Sequence, residues 1–349
     1  MLGEELDGKV RAYIQETCRL GNTITTRVVM ACALGIVRKK DSNLLAVNGG
    51  HIVITKSWAR YLLQHMGYVK RKACSKAKVT VPNFDEVRAN FLCDIKAIVE
   101  MEEIPPPLIL NWDHTSLKYV PSSSWTMAKE GSKCVDIAGI DDKCQITAVL
   151  TVSLDGNYLP VQLIFQGKTS ASLPRAKPPS GWHVTCTDKH WANEETTKDH
   201  IKKIVVPYLT KKKAQLKLAN DQRALCIFYN FKGQLTDDVL QLLERNNIDI
   251  VFVPAHCTDR LQPLDLSVNK PAKDFLRDKF QMWHSDQIFD QLQDDLSPVA
   301  EPVVTFPLNV MKPLVLQWME DLETYMLSHP NIIRSGFQAA GITDALNVN

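Results

Sequence analysis

The stretch VFVPAHCTDRLQPLD, Val251 to Asp265, is the most diagnostic part of this chain. It leads an apolar strand into a turn that ends on an acid. Two other runs have a related form: Leu108 to Asp113 also ends on an acid, whereas Ala224 to Tyr229 ends on a phenol. Carboxylates that converge from several strand ends hold the paired cations of phosphodiester-cleaving sites, about 3.5 to 4 Å apart. The three runs therefore indicate a DNA-cutting scaffold that lacks one acidic ligand.

The composition is that of an ordinary globular chain. It has 349 residues, 45% of them hydrophobic, and a formal net charge of +2, so any affinity for nucleic acid must come from local clusters of charge. Nine cysteines without a C-x-x-C pair disfavour a zinc module and a disulfide framework and are interpreted as reduced thiols. The N-terminus does not resemble a signal peptide, and the longest apolar run, Val28 to Val37, is too short to span a bilayer. These features predict no membrane partner.

In the first part of the chain, apolar residues recur at the spacing of a helix. Leu6, Val10 and Ile14 recur at helical spacing, and Thr23 to Arg38 repeats the pattern. A turn-rich stretch then precedes a third helix, from Thr55 to Met66, with a threonine as N-cap. Three helices separated by turns predict a helix-turn-helix unit.

A basic run follows the third helix. Between Thr55 and Lys78 there are seven Lys or Arg and no Asp or Glu. A solvated linker or a nuclear-import signal is one interpretation, but a helix-turn-helix directly before the run favours contact with DNA, with the helix in the major groove and the run on phosphates. The predicted partner is double-stranded DNA, and the candidate DNA-binding residues are Lys56, Ser57, Arg60, Gln64, Lys70, Arg71, Lys72, Lys76 and Lys78.

The spacing of apolar residues changes after Pro105-Pro106-Pro107. Short β-rich runs are followed by alternating helices and strands, which is the order of an RNase H-like fold. The β-rich runs are Leu108 to Trp112, Cys134 to Ile140, Gln145 to Ser153 and Tyr158 to Phe165; the alternating elements are helix Asn193 to Leu218, strand Ala224 to Phe228, helix Leu235 to Asn246, strand Asp249 to Val253 and a helix from about Val268 to Leu292.

The predicted fold class is therefore α/β, with an N-terminal all-α helix-turn-helix domain followed by an RNase H-like mixed-sheet domain. The predicted domains are residues 1–80 for the helix-turn-helix, 81–107 for a connecting helix and linker, 108–292 for the RNase H-like domain and 293–349 for a C-terminal helical tail.

Several motifs together resemble the pogo-like branch of the mariner-related transposases, within the DDE superfamily, whose DNA-binding half is similar to the centromere protein B type helix-turn-helix. The resemblance covers nearly all of the chain. Its motifs are Asn48 to Lys72, NWDHTSLKYVP from Asn111, GSKCVDIAG from Gly131, QLIFQGKT from Gln162, ALCIFYNFKGQLT from Ala224 and VFVPAHCTDRLQPLDLSVNKPAKDFL from Val251.

The resemblance implies a catalytic domain in which three acids bind two Mg²⁺ ions for strand cleavage and transfer. Asp113 matches the first acid and Asp265 the third, but Tyr229 occupies the position of the second. The family pattern also differs at His114 and Ser116, where Gln and Gly are usual, and it implies a further helix-turn-helix before the first residue of this sequence.

Tyr229 is decisive because a phenol with a pKa near 10 is neutral at pH 7 and cannot offset two divalent cations. Asp113 and Asp265 are therefore predicted to form a vestigial metal site, with Mg²⁺ as cofactor only if the site is active and no cofactor otherwise. Alternatives stay open at this point. The two acids could instead cap strands or pair with Arg260, another group could supply the missing ligand (Asp237, Asp238 or Asn230), and Asn269 could share the role of the third acid. His51, His190 and His256 lack ligand-like spacing and are interpreted as structural.

The sequence thus predicts a nuclear, transposase-derived DNA-binding protein with an inactive DDE nuclease domain, which could act as a homodimer or with protein partners. An active transposase with an altered metal site is one alternative. A protein-interaction scaffold without DNA binding is another.

Overall fold

The structure is a computed structural model, which describes residues 3–19, 24–69, 81, 83–121, 144–229, 236–294 and 305–348. The chain divides into two compact units, Met1–Thr80 and Val81–Asn349. Each unit has its own cluster of buried apolar side chains. No helix among the described residues is long and apolar enough to cross a membrane.

The smaller unit is all-helical. It contains α1 (Glu4–Arg19), α2 (Thr26–Lys40) and α3 (Lys56–His65), with two short 3₁₀ turns, Ser42–Leu44 and Ala46–Asn48, between the last two. The Thr55 hydroxyl accepts a hydrogen bond of 3.1 Å from the Trp58 amide, which caps α3. Gly67, at φ +78°, takes the left-handed conformation just after α3. Apolar residues from the three helices form the core: Leu6, Val10, Ile14, Val29, Ala33, Val37, Ala59 and Leu62, with Leu45 and Ile52 from the turns.

The larger unit is built on a six-stranded mixed sheet in the order β4-β3-β2-β1-β5-β6. The strands are β1 (Ile109–Lys118), β2 (Gln145–Ser153), β3 (Gln162–Gln166), β4 (His183–Thr187), β5 (Ala224–Tyr229) and β6 (Ile248–Val253). The pairs β1–β2 and β2–β3 are antiparallel, whereas β1–β5, β5–β6 and β3–β4 are parallel. The predicted fold class, a helical N-terminal part followed by a mixed-sheet domain, is confirmed.

Helices surround this sheet. They are α4 (Phe84–Met101), α5 (Glu194–His200), α6 (Val206–Gln215), α7 (Asp237–Arg245), α8 (Thr258–Leu261), α9 (Asn269–Asp294), α10 (Leu308–Ser328), α11 (Pro330–Ala339) and α12 (Ile342–Ala345), with 3₁₀ turns at Pro106–Leu108 and Ser170–Ser172. Apolar residues of α10 and α11 belong to the same buried cluster as the strands. These C-terminal helices therefore complete the core of the larger unit.

The structure adds three features to the sequence prediction. Strand β4 pairs in parallel with β3, so the predicted meander gains a parallel edge strand. The helix predicted over Asn193 to Leu218 is interrupted by a π-helical turn, Ile201–Val205. A second π-helical turn, Leu264–Val268, directly precedes α9. The β-rich run Cys134 to Ile140 lies outside the described residues.

Candidate functional site

The site lies where two neighbouring strands of the sheet separate. Strands β1 and β5 pair only as far as Asn111 and Ile227, whereas β1 continues to pair with β2 as far as Lys118. Asp113 and Tyr229 lie two residues beyond the last β1–β5 pair, so both are at the opening. A gap of this kind at the carboxyl ends of strands is the usual place for ligands in α/β sheets.

The opening forms a cavity of about 430 Å³, which we call the acid cleft. Its lining comes from β1, the end of β5, the loop after β6, the start of α8, the π-helical turn Leu264–Val268 and the start of α9. The lining residues are Asp113, His114, Thr115, Ser116, Tyr229, His256, Thr258, Asp265, Asn269 and Lys273.

A single amide nitrogen joins the two carboxylates in the acid cleft. Asn269 Nδ2 donates a hydrogen bond of 2.9 Å to Asp113 Oδ2 and another of 2.8 Å to Asp265 Oδ1. An amide nitrogen carries two hydrogens, so both are used on the acids. The Oδ1 atom of Asn269 is buried and has no hydrogen-bond partner among the described residues.

Buried side-chain amides hold Asp265 close to Asp113. Asn111 Nδ2 donates to the Ile227 carbonyl at 2.7 Å, and its Oδ1 accepts from the Leu264 amide at 3.0 Å. Gln262 Nε2 donates to the Trp112 carbonyl at 3.0 Å. These bonds tie the start of the π-helical turn to β1 and β5, and they thereby place Asp265 opposite Asp113.

Helix α11 packs on the other side of the same turn. Gly336 lies directly against the Pro263 carbonyl, where a Cβ atom would not fit. A glycine is required at this crossing because any side chain would push the turn away from β1.

The charges of the acid cleft are only partly offset. Burial, together with the nearby charge of Asp265, raises the pKa of Asp113 to about 6, although the Asn269 amide and Lys273 act in the opposite direction. Loss of hydration also raises the pKa of Asp265, again opposed by Asn269 and Lys273. His114 is neutral at physiological pH because burial lowers its pKa to about 4.

Comparison with known proteins identifies the family. A model of the DDE superfamily endonuclease family matches residues 143–348, well over half of the chain. The chain belongs to the DDE superfamily endonuclease family. Tyr229 and Asp265 lie within the matched residues, and Asp113 precedes them.

Curated relatives agree with the pogo-like resemblance. The human "Pogo transposable element with KRAB domain" is 25% identical over 279 residues, which cover 80% of this chain and 43% of the relative. The human "Pogo transposable element with ZNF domain" is 19% identical over 346 residues, which cover 97% of this chain and 22% of the relative. The chain therefore spans less than half the length of these relatives. The resemblance to pogo-like transposases is confirmed.

Solved structures with a similar fold include complexes of the Mos1 mariner transposase. The Mos1 paired end complex with Mn matches with a TM-score of 0.54 and 11% identity over 98% of this chain and 78% of that chain. The Mos1 strand transfer complex matches with a TM-score of 0.52 and 12% identity over 98% of this chain and 77% of that chain. The similarity supports the DDE fold.

The acid cleft of this DDE domain has a poor donor set for two divalent cations. No three His, Cys, Asp or Glu side chains in the described ranges come together as a metal site would require. The phenol side chain of Tyr229, 37% exposed, lies at the end of β5, and the amide of Asn269 presents its nitrogen to both acids. Mg²⁺ prefers oxygen ligands in an octahedral arrangement, so the residues present do not fit a cation pair.

The other charged groups considered from the sequence, Asp237, Asp238 and Arg260, do not line the acid cleft. Asp238 forms an ion pair of 2.7 Å with Lys198, and Asp237 is an exposed residue in the first turn of α7. The Arg260 guanidinium lies 4.6 Å from the centre of the Phe84 ring rather than against either acid. Asn230 lies outside the described residues.

The structure brings to the acid cleft several side chains for which the sequence indicates no role in the site. His256, at φ +61°, and Thr258 follow β6, and Lys273 is one turn of α9 after Asn269. Their position just before or after Asp265 was the only sequence signal. His256 therefore lines the cleft, whereas its spacing in the sequence indicates only a structural role.

The candidate DNA-binding residues of α3 all lie on its exposed side. Lys56, Ser57, Arg60 and Gln64 are exposed, whereas Ala59 and Leu62 are buried. Lys56, Arg60 and Gln64 also line a hollow with Thr25 and Thr26 at the start of α2. The remaining candidates, Lys70, Arg71, Lys72, Lys76 and Lys78, lie outside the described residues.

Proposed function

We propose that this chain is a transposase-derived nuclear protein that binds double-stranded DNA and whose DDE nuclease domain is inactive. The observation that carries the proposal is the composition of the acid cleft. Tyr229 takes the place of the second acid, and Asn269 bridges the two acids that are left.

Electrostatics supports the loss of strand cleavage. Two divalent cations bring four positive charges, which Asp113 and Asp265 alone offset only by half, and a neutral phenol adds nothing. Members of a catalytic group act together, so losing one commonly costs several orders of magnitude in rate. In this proposal the two acids are a vestigial metal site.

The exposed polar side of α3 supports DNA binding. Lys56, Ser57, Arg60 and Gln64 have the composition of a groove-reading helix, and the basic run from Lys70 to Lys78 would contact phosphates. This unit corresponds in the proposal to a helix-turn-helix of the centromere protein B type. Residues 1–80, 81–107, 108–292 and 293–349 remain the proposed domains.

Partners and location follow from the same family relationship. The similar Mos1 structures include paired end complexes, which favours a homodimer on DNA for this chain as well. Relatives named as pogo transposable elements favour a nuclear protein that acts on DNA. The proposal also includes protein partners, because a DDE scaffold that no longer cuts DNA can serve as a contact surface.

A nicking assay tests the catalytic part. Supercoiled DNA is incubated with Mg²⁺ or Mn²⁺ and the natural chain, the Tyr229→Asp variant, or a Tyr229→Asp variant that also carries Asp113→Ala. We expect no nicking by the natural chain, because it lacks the second acid. Nicking by the natural chain at the rate of Tyr229→Asp would show that it is an active nuclease with an altered metal site.

A gel-shift assay tests the binding part. We expect the natural chain to bind duplex DNA with an affinity that falls as salt rises and that is unchanged by EDTA. Absence of binding at low salt would leave a protein-interaction scaffold as the better description.

A further inference from the structure

A second hollow opens beside the acid cleft, and an exposed tryptophan lies on its wall. It has a volume of about 430 Å³ and shares residues of β1 and β5 with the acid cleft. We call it the Trp191 hollow. Its lining residues are Asp113, His114, Ser116, Gln145, Thr147, His190, Trp191, Ala192 and Tyr229.

Trp191 is unusual in this chain because its ring is open to solvent. It is 64% exposed, whereas the other described tryptophans are buried or half-buried. Tyr229, on the same hollow, is 37% exposed. Two accessible aromatic rings beside one polar cavity provide a surface on which a flat ring can stack.

A tight turn holds Trp191 in this position. Thr187 Oγ1 donates a hydrogen bond of 3.0 Å to the Trp191 carbonyl, and the His190 amide donates one of 3.2 Å to the Thr187 carbonyl. His190 has a φ of +56°, a left-handed conformation that is costly for a residue other than glycine. Such local strain is typical of functional positions.

A chain of hydrogen bonds forms a polar wall of the Trp191 hollow. Ser116 Oγ donates to Gln145 Oε1 at 2.6 Å, and Gln145 Nε2 lies 3.4 Å from His190 Nε2. His190 Nδ1 lies 3.2 Å from Thr147 Oγ1. Burial lowers the pKa of His190, so the neutral ring can donate from Nδ1 and accept at Nε2. The second hydrogen of the Gln145 amide is then left for a ligand.

A positively charged side chain lies beside the Trp191 ring. The ammonium of Lys189 lies 5.5 Å from the centre of the Trp191 ring. Aromatic rings combined with nearby positive charge are the usual platform for single-stranded nucleic acid, because bases stack on the ring and phosphates meet the cation.

We propose that the Trp191 hollow binds one unpaired nucleobase of DNA, stacked on Trp191 and hydrogen-bonded along its edge by the Gln145 amide. A paired base inside a duplex cannot enter, because its faces are stacked and its edge is already bonded. The inference rests on the proposed DNA binding, and it adds a preference for ends or unpaired positions over continuous duplex.

Fluorescence titration at 100 mM salt tests the proposal. Two duplexes of equal paired length are compared, one blunt and one with a two-nucleotide 3′ overhang that carries 2-aminopurine at its last position. We expect the natural chain to bind the overhang duplex about tenfold more tightly, the size of one base–aromatic stack. We also expect the emission of 2-aminopurine to fall on binding, because stacking quenches it.

Three variants separate stacking from general effects. Trp191→Ala is expected to lose the preference and the quenching while binding the blunt duplex as before. Trp191→Phe, which keeps a ring, should retain most of both. Phe289→Ala is the matched control, since Phe289 is an aromatic residue of similar exposure, 59%, on α9, and it should behave as the natural chain.

Each outcome decides the question. Equal affinity of the natural chain for both duplexes, or a preference that persists in Trp191→Ala, overturns the nucleobase site. Binding of the overhang duplex alone, without affinity for blunt DNA, contradicts the proposed duplex binding but retains the nucleobase site. Failure to bind either duplex, or a single strand of the overhang sequence, overturns both.

Discussion

At the centre of the acid cleft, an uncharged amide occupies the place between two carboxylates where a cation would offset their charge. Asn269 donates one hydrogen to each acid, which reduces their repulsion but does not neutralise them. Burial of the carboxyl, together with the charge of Asp265, still raises the pKa of Asp113, although the Asn269 amide lowers it. The pair of carboxyl groups is consequently more stable with one proton bound than with two full negative charges.

The ionisation of Asp113 should make the larger unit less stable at neutral pH. Its pKa in the folded protein is about 6, above the ordinary value of a free aspartate, so the stabilisation from its protonated form is complete below about pH 4 and is lost as the pH rises through 6. Asp113→Asn removes this ionisation. We expect the variant to be more stable at pH 7.5 by about 1 to 3 kcal/mol, measured by urea unfolding.

The same comparison at pH 3.5 provides the internal control. The difference between Asp113→Asn and the natural chain should disappear there, because both side chains are uncharged. Asp286→Asn, on an exposed part of α9, should change stability by less than about 0.5 kcal/mol at either pH. A gain for Asp113→Asn that is equal at both pH values would refute the electrostatic explanation.

Tyr229→Asp should restore part of the affinity for divalent cations. The new carboxylate would lie at the end of β5, at the opening that Asp113 already faces, and a third anionic ligand strengthens Mg²⁺ binding. We expect at least about a tenfold gain in affinity for Mg²⁺ or Mn²⁺, or about 1.4 kcal/mol, by isothermal titration calorimetry. Tyr229→Asn, which offers an oxygen without charge, is the matched control and should gain much less.

Two elements that are far apart in the sequence are joined by Asn111. Its amide bonds to the Ile227 carbonyl of β5 and to the Leu264 amide at the start of the π-helical turn. Asn111→Ala would leave both buried groups without a partner. We expect a loss of about 2 to 4 kcal/mol in unfolding free energy and faster amide exchange over residues 264–268.

Thr210→Ala is a suitable comparison for Asn111→Ala. Thr210 is exposed on α6 and its hydroxyl bonds only to the Val206 carbonyl within the same helix. Its removal should cost no more than about 0.5 kcal/mol. If Asn111→Ala costs equally little, the bonds from Asn111 do not hold the turn in place.

Helix α3 can be tested through one exposed arginine. If Arg60 contacts DNA, Arg60→Ala should weaken duplex binding about tenfold, and a phosphate contact would also lower the slope of affinity against salt by about one. Arg245→Ala removes an equally exposed arginine from α7 and should leave binding unchanged. An equal loss in both variants would point to general charge rather than to α3.

Local patterns predicted most of these elements but not all of them. The cap at Thr55 and the strand that ends at Tyr229 follow from residue type and period. Strand β4 does not, because its five residues depend on parallel pairing with β3, which no local pattern specifies. The two π-helical turns are equally invisible, since the extra residue in each is stabilised by tertiary packing.

Sequence patterns likewise predicted only part of the acid cleft and of the Trp191 hollow. Asp113, Tyr229 and Asp265 could be located because each ends a recognisable run. The bridging role of Asn269 could not, since the spacing of four residues from Asp265 does not say whether the oxygen or the nitrogen of the amide faces the acids. His256 and Trp191 reach their cavities through left-handed turns at His256 and His190, which sequence alone does not predict at histidine.

Two separate apolar cores give the chain its division into units. The small core contains residues from Leu6 to Leu62, and the large core residues from Phe91 to Ile342. We expect two transitions in calorimetry. Leu62→Ala should destabilise only the smaller unit and Ile164→Ala only the larger one, each by about 2 to 5 kcal/mol.

Each of these variants serves as the control for the other. A single transition, or a shift of both transitions by either variant, would show that the units do not unfold independently. Trp58 belongs to the smaller unit. The temperature at which its fluorescence changes therefore identifies the transition of that unit.

The separation of β1 from β5 affects which substitutions such a sequence can accept in evolution. Backbone pairing between these strands stops at Asn111 and Ile227, and position 229 pairs only with Val253 of β6, so pairing with β1 places no demand on its side chain. Selection for folding therefore places little constraint on whether position 229 carries an acid. A gene copy that is no longer selected for DNA cleavage can accumulate substitutions at the opening between β1 and β5 while its fold is retained.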